Sequence, residues 1–190
     1  MIILISGSSH CGKTLMAQQL LEKYKIPYLS LDHLKMGIYR SDQNCGFTPL
    51  DGTELIGEKL WPITREMIKT SIENNQNLII EGCYILPHHV KQFEKSYAEK
   101  IITVNLVFST LYIKENFESK IIKLRNAIED RGELEPSTYN IAETINEHNE
   151  FRKRCIEAGV KYFEIDKEYE VEISEVYHFI EKQKRIIESK

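Results

Sequence analysis

The chain has 190 residues, 42% of them hydrophobic, which fits one domain with a sizeable core. Its net charge of -4 and isoelectric point near 5.9 exclude a general electrostatic pull toward nucleic acid. The four cysteines, Cys11, Cys45, Cys83 and Cys155, form no CxxC pair, so they argue against a zinc centre or thioredoxin-like motif and fit reduced thiols in a cytosol.

Short β-rich runs alternate with longer segments of helical period, which predicts an α/β fold of parallel strands joined by helical crossovers. Strands are expected at residues 2–6, 27–31, 78–81, 101–108 and 161–165, each a succession of apolar residues as a sheet covered on both faces requires. The apolar start carries no basic leader and no stretch reaches membrane-span length, so a cytoplasmic protein without a membrane partner is expected. After the first strand, Met16, Leu20 and Tyr24 share one helical face. The segment 36–75 is long for a simple crossover; Thr48 and Pro49 mark a helix start, Pro62 a kink or break, and the segment reads as an inserted substrate-binding flap. Ser109 can cap a helix carrying Phe117, Ile121, Leu124 and Ile128. Charges around Gly132 and Pro136 mark residues 125–137 as a short lid, and Ile173, Val176, Tyr177 and Ile180 stripe a final packing helix. No linker divides the chain, so residues 1–190 are read as one domain.

The first strand runs directly into Gly7-Ser8-Ser9-His10-Cys11-Gly12-Lys13-Thr14, which meets GxxxxGK[ST] at every fixed position and opens a helix. Average residue usage would produce the four fixed positions by chance in fewer than about one chain in a hundred of this length. Glycines let the backbone bend closely around phosphate oxygens, successive N–H groups point inward, and the helix adds the positive end of its dipole. Lys13 is expected on the β and γ phosphates of ATP and Thr14 on Mg2+, with His10 and Cys11 contributing backbone groups only.

Two carboxylates are expected at the same sheet edge. Asp32 follows the second strand, where it can take a proton from an attacking hydroxyl or hold magnesium through water. Glu81 ends the third strand, where it can orient the metal's water or the acceptor. Because phosphoryl transfer spreads negative charge over the moving group, further cations are sought in Arg125 and Arg131, flanking the lid, and in Arg40 for an anionic acceptor. Arg152-Lys153-Arg154 reads as a solvated helix face. His88 and His89 are adjacent and cannot share a helical face as in HExxH, and His148 falls within an apolar stripe, so all three read as core or surface histidines.

The loop, Asp32, the Glu81-Gly82 pair and the lid together resemble the small phosphate-loop kinases, including shikimate, gluconate and adenylate kinases. Leu29-Ser30-Leu31-Asp32-His33-Leu34 with Ile80-Glu81-Gly82-Cys83-Tyr84 is also similar to a bacterial group described as zeta-toxin-like, or as 2-phosphoglycerate-kinase-like ATP-binding proteins. The resemblance implies a five-stranded parallel sheet in order 2-3-1-4-5, a mobile lid, and ATP with magnesium as donor. It also implies a base at the position of Asp32 acting on a hydroxyl of a small-molecule acceptor. A monomer or homodimer is expected. Adenylate kinases usually carry Asp-Gly-x-Pro-Arg after strand three, which Glu81-Gly82-Cys83-Tyr84 does not match, and the Asn-Lys-x-Asp signature of guanine-specific switches is absent. A nucleoside monophosphate kinase and a non-catalytic, ATP-binding or toxin-like protein stand as alternatives.

Overall fold

The computed structural model describes residues 1–123, 128 and 140–189. Five parallel strands, β1 (Ile2–Gly7), β2 (Tyr28–Ser30), β3 (Leu78–Glu81), β4 (Ile101–Phe108) and β5 (Phe163–Ile165), form one sheet in the order β2-β3-β1-β4-β5. β1 lies at the centre, pairing Ile2 with Leu78 on one side and with Ile101 on the other.

Every residue of β1 is buried. Because successive side chains point to opposite faces, Ile3 and Ile5 enter one core while Ile2 and Leu4 enter the other. The first core is completed by Met16, Ala17 and Leu20 of α1 (Lys13–Tyr24), Tyr112 and Ile113 of α5 (Thr110–Asn116), and Ile173, Val176 and Ile180 of α7 (Tyr169–Glu188). The second is covered by Leu31 of α2 (Leu31–Ser41) and by Ile56, Leu60, Trp61, Ile68 and Ile72 of α3 (Thr53–Glu73). A short 3-10 turn (His89–Gln92) and α4 (Lys95–Ala98) lead into β4. Between α5 and α7 lies α6 (Ile141–Glu157), whose Phe151 and Cys155 pack on Val107.

Several boundaries differ from the sequence reading for local reasons. Strand β2 stops at Ser30 because Leu31 already opens α2, so Asp32 lies in the first helical turn, where a carboxylate meets the positive end of the dipole. The helix expected near Thr48 begins at Thr53 instead. Thr48 and Asp51 close a turn through Thr48 N–H to Asp51 Oδ2 at 2.6 Å and Asp51 N–H to the Thr48 carbonyl at 3.1 Å. Pro62 does not break α3; it sits on the exposed side between buried Leu60, Trp61 and Thr64, whose packing holds the helix through the missing N–H. Ser109 caps α5 as expected, its Oγ accepting from Tyr112 N–H at 3.0 Å, and the chain then widens into a π-helical turn (Phe117–Ile122). Leu124 and most of the segment 125–137 lie outside the described residues. Among the described residues no helix is long and apolar enough to cross a membrane.

Gly57 sits in α3 where a Cβ would come within 2.9 Å of the Tyr84 carbonyl and 3.1 Å of the Leu86 side chain. Alanine improves helix propensity by about 1 kcal/mol, but overpacking against a fixed main-chain oxygen costs about 1–3 kcal/mol. Gly57→Ala should therefore destabilise the protein by about 1 kcal/mol despite its better propensity, which urea denaturation will measure.

Candidate functional site

The carboxyl ends of the strands and the amino ends of α1 and α2 meet at one edge of the sheet, where ligands bind in open α/β folds. A cavity of about 560 Å³ opens there. Its lining runs from Asp32, Glu81, Cys83 and Tyr84 on the β2–β3 side, past Ser9, His10, Gly12, Lys13 and Thr14, to Tyr112, Lys120, Tyr169 and Glu170 on the β4–β5 side.

The loop between β1 and α1 has the backbone that the glycine spacing demands. Gly7 has φ 146°, and a Cβ there would lie 2.2 Å from the Leu106 carbonyl oxygen. Gly12, the N-cap of α1, has φ 85°, and a Cβ on it would lie 2.1 Å from the Tyr169 hydroxyl. His10 is a non-glycine residue in the left-handed region, with φ 61°, a conformation concentrated at functional loops. Cys11 is fully buried and fills the space beneath the loop. Lys13 Nζ donates to the Ser8 carbonyl at 2.6 Å across the loop. The loop is gripped from α6: Ser9 N–H and Oγ–H both donate to Glu147 Oε1, at 3.0 and 2.8 Å, while His148 Nε2 lies 3.1 Å from the Ser9 carbonyl oxygen.

On the β2–β3 side, buried Lys35 donates to Asp32 Oδ1 and to the Tyr84 hydroxyl, both at 2.8 Å. Burial alone would lower the Lys35 pKa, but the bonds to Asp32 and Tyr84 outweigh it and hold the ammonium above the usual lysine value. Burial pushes Tyr84 up to about 12 and Cys83 up to about 11, so both stay neutral. Lys13 is likewise held above the usual value: desolvation opposes its charge, and the groups that outweigh it are Cys11, Cys83, Glu81 and Glu147.

Residues 1–161 match the family described as Zeta toxin, which covers most of the chain. The chain belongs to the zeta toxin family. No curated protein matches the chain. Among solved structures, shikimate kinase from Aquifex aeolicus vf5 is similar at 16% identity and a TM-score of 0.53, over 96% of this chain and 97% of that one. Shikimate kinase from Bacteroides thetaiotaomicron is similar at 14% identity and a TM-score of 0.50, over 95% of this chain and 98% of that one. A gluconokinase from Sinorhizobium meliloti 1021 aligns at 14% identity and a TM-score of 0.47, over 98% and 93%. At these identities the likeness is one of fold, that of the phosphate-loop kinases.

In this zeta toxin family chain the structure brings Lys13, Thr14, Asp32 and Glu81 to one cavity, with Ser9, His10 and Gly12 of the loop. Arg40 lies exposed in the last turn of α2 and is not among the lining residues. Arg125 and Arg131 fall outside the described residues. The Arg152-Lys153-Arg154 face is partly engaged: Arg152 bonds to Glu164 and Asn149, and Arg154 pairs with Glu54 at 3.3 Å. Sequence reasoning missed Lys35, although its i,i+3 spacing from Asp32 is the signal for a helical ion pair. Glu147, His148 and Tyr169 left no such signal, because they reach the loop from far along the chain.

His88, His89 and Glu58 also converge, with Glu58 Oε1 2.8 Å from His88 Nε2 and 3.4 Å from His89 Nε2. His89 Nδ1 accepts the Leu86 N–H at 3.1 Å, so the neutral ring carries its proton on Nε2 and directs it at Glu58. That proton occupies the position a metal would need, so the cluster reads as a hydrogen-bonded tie between α3 and the chain after β3.

Two histidines are kept neutral by burial: His89 and His148 are both lowered to about 4. In the unfolded chain they titrate near 6.5. Stability should therefore be complete above about pH 6.5 and fall as acidification toward pH 4 protonates the unfolded state first. Denaturation midpoints measured from pH 7.5 to 4.5 should fall steadily, and His89→Gln should flatten that dependence.

Proposed function

We propose that this protein transfers the γ-phosphoryl group of magnesium-bound ATP to a hydroxyl of a small molecule whose reacting end is uncharged. The observation that carries this reading is the convergence of Lys13, Thr14, Asp32 and Glu81 on one cavity of a phosphate-loop kinase fold. The site fits both groups. The positive-φ glycines create a loop that a Cβ would fill, suited to phosphate. Thr14 and Glu81 offer oxygen donors suited to a hard divalent cation. Bound magnesium would neutralise phosphate charge, with the Thr14 hydroxyl as its ligand and Glu81 holding its water.

The chain's own residues then divide the work. The amides at the start of α1 bind the phosphates. Lys13 turns from the Ser8 carbonyl to the transferring group, bringing its ammonium charge to it. Asp32 receives the proton of the attacking hydroxyl, while Lys35 and Tyr84 fix its orientation. Tyr112, Lys120 and Tyr169 offer an aromatic and cationic wall for the nucleoside. The same reading assigns residues 36–75 to the acceptor flap and further positive charge to Arg125 and Arg131, which lie outside the described residues. The protein then works in the cytoplasm, where ATP and magnesium are plentiful.

The acceptor wall favours a neutral hydroxyl over a nucleoside monophosphate. It presents two carboxylates, Asp32 and Glu81, and the Lys35 ammonium beside them is already committed to Asp32 and Tyr84. A second phosphate arriving there would have to compete with Asp32 for the Lys35 ammonium. Radiolabelled ATP incubated with a metabolite extract should yield a labelled phosphomonoester with wild type. Asp32→Asn should cut the transfer rate about 10²–10⁴-fold with ATP affinity nearly unchanged, whereas Lys13→Ala should abolish transfer. Equal rates for wild type and Asp32→Asn would remove Asp32 as the base.

A further inference from the structure

Two successive residues of α6 hold one residue of the phosphate loop on opposite sides of its backbone. Glu147 Oε1 accepts both the main-chain N–H and the hydroxyl of Ser9, at 3.0 and 2.8 Å. His148 reads the other end of the same residue. Its Nδ1 accepts the Phe108 N–H at 2.8 Å, which fixes the lone pair there and the proton on Nε2, and that proton points at the Ser9 carbonyl, 3.1 Å away. The His148 ring also stacks on Phe108, with centroids 5.2 Å apart and planes 6° from parallel. One turn further on, Phe151 and then Cys155 pack against Val107. The result is a continuous tie from the end of β4, through α6, to Ser9.

We propose that Glu147 and His148 are positioning residues for the phosphate loop, holding Ser9 so that the amides leading into α1 are already arranged for phosphate before nucleotide arrives. The proposal rests on the nucleotide-binding reading of that loop. The physical need for such a clamp follows from the loop itself. Inward N–H groups are like dipoles at close range and resist convergence until an anion joins them, and His10 occupies a sparsely populated backbone region. Whatever holds that arrangement in the free protein lowers the ordering cost of binding. Glu147 grips the loop at Ser9, upstream of the amides at 12–14 that open α1, so the grip and the phosphate need not compete for the same donors.

His148 suits the part because it donates and accepts along one line only while neutral. A charged ring would present a second N–H to the Phe108 N–H. Burial keeps it neutral; of the groups facing it, Glu147 on its own helix and the Ser9 carbonyl raise its pKa, while Lys13 and His10 on the loop lower it.

The test is the affinity of wild type, Glu147→Ala, Glu147→Gln and His148→Asn for magnesium-bound ATP, alongside the unfolding midpoint of each without nucleotide. Amide hydrogen exchange over residues 7–14 completes it. The clamp predicts affinity about tenfold weaker in Glu147→Ala and His148→Asn, and within about threefold of wild type in Glu147→Gln, whose amide oxygen can still accept from Ser9. It also predicts faster loop exchange in the free variants and equal exchange once ATP saturates them. Unchanged affinity with a lowered unfolding midpoint would reduce the pair to a structural contact, and tighter binding by Glu147→Ala would make Glu147 an obstacle to phosphate; either overturns the proposal. If Glu147→Ala does not fold, His148→Asn decides alone. A wild-type protein that binds no ATP would instead overturn the nucleotide reading beneath it.

Discussion

Gly7 leaves β1 so close to the Leu106 carbonyl that a single added carbon would lie 2.2 Å from it, and the whole site depends on that approach. The close packing lets the chain turn sharply at the edge of the central strand and run into α1 within a few residues. With β1 flanked by β3 and β4, the same edge receives Glu81 at the end of one neighbour and Phe108 at the end of the other. Asp32 arrives one strand further out, in the first turn of α2. A loop that began one residue later, or a strand order that separated β1 from β3, would leave the carboxylates and the loop lysine on different parts of the surface.

The electrostatics of the cavity are balanced rather than uniformly positive. Each ammonium is matched to acids: Lys13 lies in the field of Glu81 and Glu147, and Lys35 bonds directly to Asp32. The phenols and thiols around them are driven neutral by burial. Removing one member of such a set costs more than the pair contributes, because the remaining buried charge is left uncompensated. On the β2–β3 side the Lys35 ammonium is already engaged by Asp32 and Tyr84, which is the ground for proposing an uncharged acceptor there.

Much of the fold was legible because parallel, doubly covered strands write themselves as apolar runs; β1, β3 and β4 were located to within a residue, and their order follows the family resemblance. The phosphate loop was legible because its chemistry is local, requiring two glycines, a lysine and a hydroxyl at fixed spacing. Asp32 and Glu81 could be placed at the sheet edge from their strands alone. What the sequence hid was of two kinds. Turn chemistry at Thr48 to Asp51 delayed α3, and tertiary packing around Pro62 carried the helix past a residue that ordinarily breaks it. Contacts spanning most of the chain, such as Glu147 and His148 on Ser9 or Tyr169 over Gly12, have no periodicity to reveal them. Lys35 belongs to neither kind; its spacing from Asp32 was visible, but its burial against Tyr84 was not.

The central claim is that phosphate leaves ATP for an uncharged hydroxyl held beside Asp32. Phosphorus NMR of the protein with magnesium and ATP, presented in parallel with a pool of sugars and polyols and with a pool of nucleoside monophosphates, tests it most directly. The account predicts a new phosphomonoester resonance from the first pool and none of a nucleoside diphosphate, beyond ADP itself, from the second. Diphosphates formed from the second pool with no monoester from the first, or release of inorganic phosphate alone, would contradict it.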